Sequence, residues 1–287
     1  MIETFTLLPG VTLRCYPDNR FKQGCLSLQL VRPMCKEEAA LNALIPTVLL
    51  RGTESAPDLR AITLRLDDLY GASVGAVVRR IGDYQTTGLH CSFISDRFAM
   101  DGDTILAPVI DFLGELLLRP ALEKGAFRKA YVESEKKNLI ATIESQLNDK
   151  RVYASSQLLK YMCAGDSFGV LRLGEVSAVK KITPKAAYAH YKKLLAESPI
   201  EIFYVGSAEP EVVAQKLKAL LGSIDRSYVN LPAQTGFTSP AGGDHVQTME
   251  VSQGKLAMGF VTPITLRDPR FPAMQVFNTV FGGGMTS

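Results

Sequence analysis

Histidine is scarce in this chain. There are three, His90, His190 and His245, and no two fall within one helical turn. A metal site that needs two imidazoles at i and i+4 on one helix face is therefore excluded. The five cysteines, Cys15, Cys25, Cys35, Cys91 and Cys163, contain no Cys-x-x-Cys pair. Their odd number and scatter do not make a disulfide framework and point to a reducing compartment. His90 and Cys91 are neighbours in a strand-like run, so their side chains face opposite ways. Each of these residues is expected to be packed or on the surface rather than a ligand. No apolar run approaches the roughly 20 residues of a membrane span. Charge of one sign is also lacking: 32 basic residues face 29 acidic ones, for a net charge of +3. That balance gives no ground for a nucleic-acid surface. Lys136-Lys137, Lys180-Lys181 and Lys192-Lys193 are pairs of the kind found on solvated helix faces. The opening residues, Met1 to Phe5, have neither the basic nor the apolar region of a signal peptide. The expectation is a cytoplasmic protein with no cofactor, no membrane contact and no nucleic acid.

What is present is an ordinary globular composition, 46% hydrophobic and 21% charged over 287 residues. That is enough for one to two domains with real cores. Val11–Tyr16 and Cys25–Val31 are strand-like and flank a turn cluster at Pro17-Asp18-Asn19, which predicts a hairpin. Glu37-Glu38 open a helix that Gly52 closes. Ser55 and Pro57 suit the start of a second helix, ended by Gly71. Two strands follow, Ser73–Arg80 and Tyr84–Ile94, across Gly82-Asp83. Helices are predicted to about Leu118, over roughly Lys124–Leu147, from about Arg151 to Met162, from Pro184 to Ala196 and from Pro210 to Leu221, with a strand at Ile200–Gly206. Residues 223–245 have the Pro, Gly and Ser content of a linker. A new strand pattern begins at Met249–Phe260, and a short helix runs from about Phe271 to Phe281. This order predicts an α+β fold, a mostly antiparallel sheet with helices packed on one face.

One segment carries more information than the rest. Leu41 to Thr53 ends in Leu49-Leu50-Arg51-Gly52-Thr53. That ending resembles the helix end after the inverted zinc motif, His-x-x-Glu-His, of the pitrilysin/insulinase family of metallopeptidases. Counting back from Gly52-Thr53, the two histidine positions fall on Ala43 and Thr47, and the glutamate that activates water falls on Pro46. Alanine has no donor atom, a lone threonine hydroxyl is a poor zinc ligand, and proline has nothing to titrate. Pro46 should also kink the helix. Downstream, Leu116–Leu122, Phe127 and Glu133–Ile143 resemble the region that supplies the third ligand. There the first glutamate of the pair is present as Glu135, and the ligand position is Thr142. The resemblance extends through Ser167-Phe168-Gly169, Gly174–Thr183, Gly206–Glu211, Ser252-Gln253-Gly254 and Gly259-Phe260 to the closing Gly-Gly-Gly-Met.

The resemblance implies two similar α+β halves that face each other across a chamber. On that basis residues 1–222 are expected to be a complete first domain with its metal site vacated. Residues 223–245 are the linker, and 246–287 are the start of a second homologous domain, incomplete in what is expected to be a fragment of a longer protein. Family peptidases bind substrate as a strand added to a sheet edge. Here the matching edge is Gly71–Arg80, with Gly75-Ala76 where active members carry an asparagine-alanine pair, and Gly75, Ala76, Val77 and Val78 are the expected peptide-binding residues. The implied role is a non-catalytic subunit that pairs with a zinc-bearing family member in a peptide-processing heterodimer. The chain is similar to the inactive member of a bacterial pair associated with aminopentanol modification of elongation factor P. The alternatives are a stand-alone peptide-binding or scaffold protein and, more remotely, a peptidase with a displaced site at His90 with Glu135 or Glu144.

Overall fold

The computed structural model describes residues 1–231 and 242–283. Its centre is a six-stranded sheet built from β1 (Glu3–Leu8), β2 (Val11–Pro17), β3 (Gln23–Pro33), β4 (Ser73–Ile81), β5 (Tyr84–Ile94) and β8 (Ile200–Gly206). The spatial order is β1-β2-β8-β3-β5-β4, and every pairing is antiparallel except β2 with β8. The α+β architecture expected from the sequence is the one found. One local expectation is corrected. β2 and β3 do not pair as a hairpin, because β8 is inserted between them. The Pro17-Asp18-Asn19 turn instead carries the chain across β8, and Asp18 donates its N–H to the carbonyl of Gly206 at the end of that strand.

Alternation along the strands sets the two faces. Leu26, Leu28 and Leu30 of β3, Leu89, Cys91 and Phe93 of β5, and Ile200, Ile202 and Tyr204 of β8 are all buried on one face. The helices that share this core are α1 (Lys36–Leu49), α2 (Leu59–Asp67), α3 (Leu106–Leu118), α4 (Lys129–Ser145), α6 (Val176–Lys181), α7 (Pro184–Glu197) and α8 (Pro210–Leu221), while α5 (Lys150–Met162) buries no residue. A two-stranded ribbon, β6 (Leu122–Glu123) with β7 (Ala126–Phe127), precedes α4. The opposite sheet face carries Arg14, Cys25, Ser27, Gln29, His90, Ser92, Glu201 and Phe203, and is left partly open.

The helix starts show why these residues form these elements. Thr183 caps α7 by accepting the N–H of Ala186, with Pro184 in the first turn. α2 starts later than Ser55 suggests: Asp58 is its cap and accepts from Ala61 N, while Ser55 bonds Glu115. Past α8, Ser227 and Val229 donate to the carbonyls of Ala196 and Glu197, and the Arg226 guanidinium bonds the carbonyls of Leu195 and Ser198. Residues 223–231 of the segment read as a linker are thus tied to the end of α7, and residues 232–241 lie outside the described ones. The strand pattern at Met249–Phe260 is not a strand here, since no described strand offers it a ladder. α9 (Phe271–Asn278) forms where a helix was expected. Gly284 to Ser287 lie outside the described residues.

Candidate functional site

α1 carries Ala43, Pro46 and Thr47, the positions that the resemblance aligns with the zinc motif. Ala43 and Pro46 are 3% exposed or buried, and both face protein rather than solvent. Thr47 is half-buried and returns its hydroxyl to the carbonyl of Leu44 at 2.8 Å. α1 is not broken at Pro46: it runs as one helix to Leu49, and Pro46 accepts the N–H of Leu50. A proline leaves the carbonyl four residues earlier without its helical donor. That carbonyl belongs to Asn42, and the Thr87 hydroxyl on β5 donates to it at 2.5 Å. The sheet supplies the bond that the helix lost.

Asn42 is fully buried and is the hub of a polar cluster. Its amide nitrogen donates to Gln85 Oε1 at 2.8 Å. Its oxygen lies 2.7 Å from His190 Nε2, so the imidazole donates there. Gln85, also fully buried, donates in turn to the carbonyls of Ala39 and Arg172. Burial lowers the His190 pKa to about 4, despite the nearby Glu38 carboxylate, and keeps the ring neutral at pH 7. Glu38 is itself pushed up by burial, but hydrogen bonds from Arg32 and Lys193 outweigh that and hold it at about 2.

Glu135 and Thr142, which the resemblance aligns with the glutamate pair of the third-ligand region, lie on α4, which packs on α1. Glu135 is buried and faces the end of α1, with Arg51 Nε 3.0 Å from its Oε1. Asn138 also donates to Glu135 Oε1, at 3.1 Å, and Arg51 bonds the Ser134 hydroxyl. Thr142, two turns on, is exposed and gives its hydroxyl to the carbonyl of Asn138 at 2.9 Å. So α1 and α4 meet through a guanidinium–carboxylate pair. Gly52-Thr53 is a structural lock at the same corner. A Cβ on Gly52 would lie 2.6 Å from the Pro57 carbonyl oxygen. Thr53 is fully buried, donates to Glu115 at 2.6 Å and accepts the N–H of Ala56.

The proposed peptide edge is an edge in the structure: β4 has β5 on one side and no strand on the other among the described residues. Ile81 and Tyr84 close the two-residue turn Gly82-Asp83. In that geometry they and every second pair beyond them exchange the ladder bonds. Gly75 and Val77 therefore bond inward to β5, while Val74, Ala76 and Val78 direct N–H and C=O outward. The outward carbonyl of Val78 is already taken by the Arg172 guanidinium at 2.5 Å. Arg80 folds back to the carbonyls of Ser167 and Val170. The open stretch of the edge is Val74 to Ala76.

His90 lies on the open sheet face with Nε2 3.1 Å from Cys25 Sγ, whereas Glu135 is buried on the helical side and Glu144 is exposed at the end of α4. The sheet separates the residues of a displaced site. Among the described residues, no group of three His, Cys, Asp or Glu side chains is placed to hold a metal ion. Burial pushes the thiols of Cys15 and Cys91 up to about 12. No helix among the described residues is long and apolar enough to cross a membrane. Sequence reasoning missed the Asn42 cluster and the Arg51–Glu135 pair. The available signal was a lone asparagine in the run Ala39-Ala40-Leu41-Asn42-Ala43-Leu44, a polar residue that a buried helix face must satisfy.

Comparison with known proteins agrees with this geometry. Residues 181–287 match the family model described as peptidase M16 inactive domain. The chain is 30% identical over 274 residues to the Bacillus subtilis (strain 168) protein named "Probable inactive metalloprotease YmfF", covering 96% of this chain and 64% of that one. A conserved protein from Enterococcus faecalis V583 superposes with a TM-score of 0.74 at 25% identity, over 82% of this chain and 56% of that one. The peptidase M16 inactive domain from Pseudomonas fluorescens superposes with a TM-score of 0.63 at 17% identity, over 84% and 54%, which bears on the fold alone. The chain thus spans less than two thirds of the relatives it matches. It is similar to inactive peptidases of the M16 family, the pitrilysin/insulinase group, and its residues 181–287 match that family's inactive-domain model.

Proposed function

We propose that this chain is the non-catalytic member of a peptide-processing pair, in which a zinc-bearing relative supplies the chemistry and this chain holds substrate and encloses it. The observation that carries the reading is a peptidase frame whose ligand positions serve packing. Ala43 and Pro46 are buried, Thr47 and Thr142 bond their own helices, and the neighbouring polar groups are spent on Asn42, Gln85, His190, Arg51 and Glu135. What such a chain keeps is main-chain recognition. An edge strand binds an extended peptide through backbone bonds that need no metal, and Val74 to Ala76 present such bonds. Gly75, Ala76, Val77 and Val78 are the assigned segment, with Ala76 at its centre. The scattered, unpaired cysteines favour a cytoplasmic setting.

Co-expression tests the pairing. The tagged chain is expected to draw down a relative carrying His-x-x-Glu-His, and the pair to hydrolyse peptides that neither subunit hydrolyses alone. Hydrolysis by the relative that is indifferent to this chain would contradict the pairing. A stand-alone peptide-holding protein is the second reading; the same free edge favours it, and peptide binding without a partner would select it.

A further inference from the structure

The glycine at position 75 has no reason in the fold. Its φ is not in the left-handed region, and a Cβ built on it meets nothing within 4 Å. Two other strand glycines differ: at Gly88 a Cβ would lie 1.9 Å from the carbonyl oxygen of Leu28, and at Gly24 it would strike the Phe93 ring. Those are required by close packing. Gly75 sits on the edge strand, at an entropic cost to that strand, and leaves space above it. A glycine of this kind marks a place where another chain approaches.

Its surroundings define what would fill the space. Gly75 pairs with His90 and shares the open sheet face with it. His90 is half-buried, with Cys25 on its far side. A strand bonded to Val74 and Ala76 places one of its residues opposite Gly75 in a non-hydrogen-bonded pair, where side chains approach most closely. An aromatic ring there covers the bare glycine backbone, the arrangement that rescues edge glycines in sheets, and its inner edge meets the imidazole of His90.

Building on the edge-binding role, we propose that the β4 edge selects extended peptides with an aromatic side chain opposite Gly75. The test is fluorescence anisotropy with labelled, capped, Thr-rich peptides that carry either Phe or Ala at one central position. The unmodified chain is expected to bind the Phe peptide roughly five-fold more tightly than the Ala peptide. Gly75→Val fills the space without a clash, so it should keep the affinity for the Ala peptide and lose the preference for Phe. Ala76→Pro removes an outward N–H that the fold does not use, so it should abolish binding of both peptides with the thermal melt retained. Equal affinity for the two peptides, sensitive to Ala76→Pro, would overturn the aromatic subsite and leave edge binding standing. A Phe preference that persists in Gly75→Val would also overturn it. Binding that ignores Ala76→Pro would overturn edge binding itself.

Discussion

Asn42 shows how much a single buried side chain carries in α1. It satisfies Gln85 and His190 at once, and its own carbonyl depends on Thr87. Asn42→Ala leaves a buried amide and a buried imidazole short of partners, each a cost of about 1–3 kcal/mol. The expected loss is about 2–3 kcal/mol in urea unfolding. His190 adds a pH dependence with a definite sign. Its folded pKa, about 4, lies below the ordinary histidine value of 6.5, so the unfolded chain binds the proton more tightly between those limits. This contribution is complete above about pH 6.5 and is lost progressively as pH falls toward 4. Stability measured across that window should fall by up to roughly 3 kcal/mol, and His190→Gln should flatten the slope. Glu38 acts lower, between its ordinary value of 4.5 and about 2, so the two windows separate.

At the scale of elements, α1 is a helix whose missing hydrogen bond is supplied by a strand. Thr87→Val should cost about 1–3 kcal/mol, because the Asn42 carbonyl is then orphaned. In a Pro46→Ala background the restored N–H reaches that carbonyl, so the same Thr87→Val change should cost much less. The double-mutant cycle reads the coupling directly; additive effects would show that Pro46 and Thr87 are unrelated. Elements with local signals were legible in the sequence. Thr183-Pro184 starts α7, Ile200–Gly206 is β8 at its observed ends, and Pro210 starts α8. The pairing of β2 with β3 was misread because β8, which separates them, arrives from the far end of the domain. No local pattern encodes a strand inserted from such a sequence distance. The continuity of α1 through Pro46 was hidden for a similar reason, since the compensating hydroxyl of Thr87 belongs to another element. Ala43, Pro46, Thr47 and Thr142 could be singled out by resemblance to the family's zinc motif. The Arg51–Glu135 contact joining α1 to α4 could not, because it depends on how the two helices cross.

At the scale of the whole molecule, the core and the C-terminal segment are separable in their packing. Among the described residues, the continuous core draws on Leu7 to Leu221, with Ile224 packed against it, and on none beyond. The segment after residue 242 touches α5, where the His245 ring stacks on Tyr161 at 4.0 Å and Gln247 accepts from the Tyr153 hydroxyl at 3.0 Å. It leaves much apolar surface in water: Phe260, Phe277 and Phe281 touch one another yet stay at least half exposed, and α9 has no buried residue. A chain ended after Leu231 should therefore unfold cooperatively with a melting temperature within a few degrees of the longer one, and with less tendency to associate. Loss of cooperative unfolding would show that the segment belongs to the first domain's core.

The central claim is that the peptidase frame here holds no catalytic metal. It is tested most directly by metal analysis of the purified chain after zinc loading and gel filtration, with peptide hydrolysis followed on the same sample. The account predicts no stoichiometric zinc and no hydrolysis. One tightly bound zinc per chain, with hydrolysis abolished by a chelator, would contradict it.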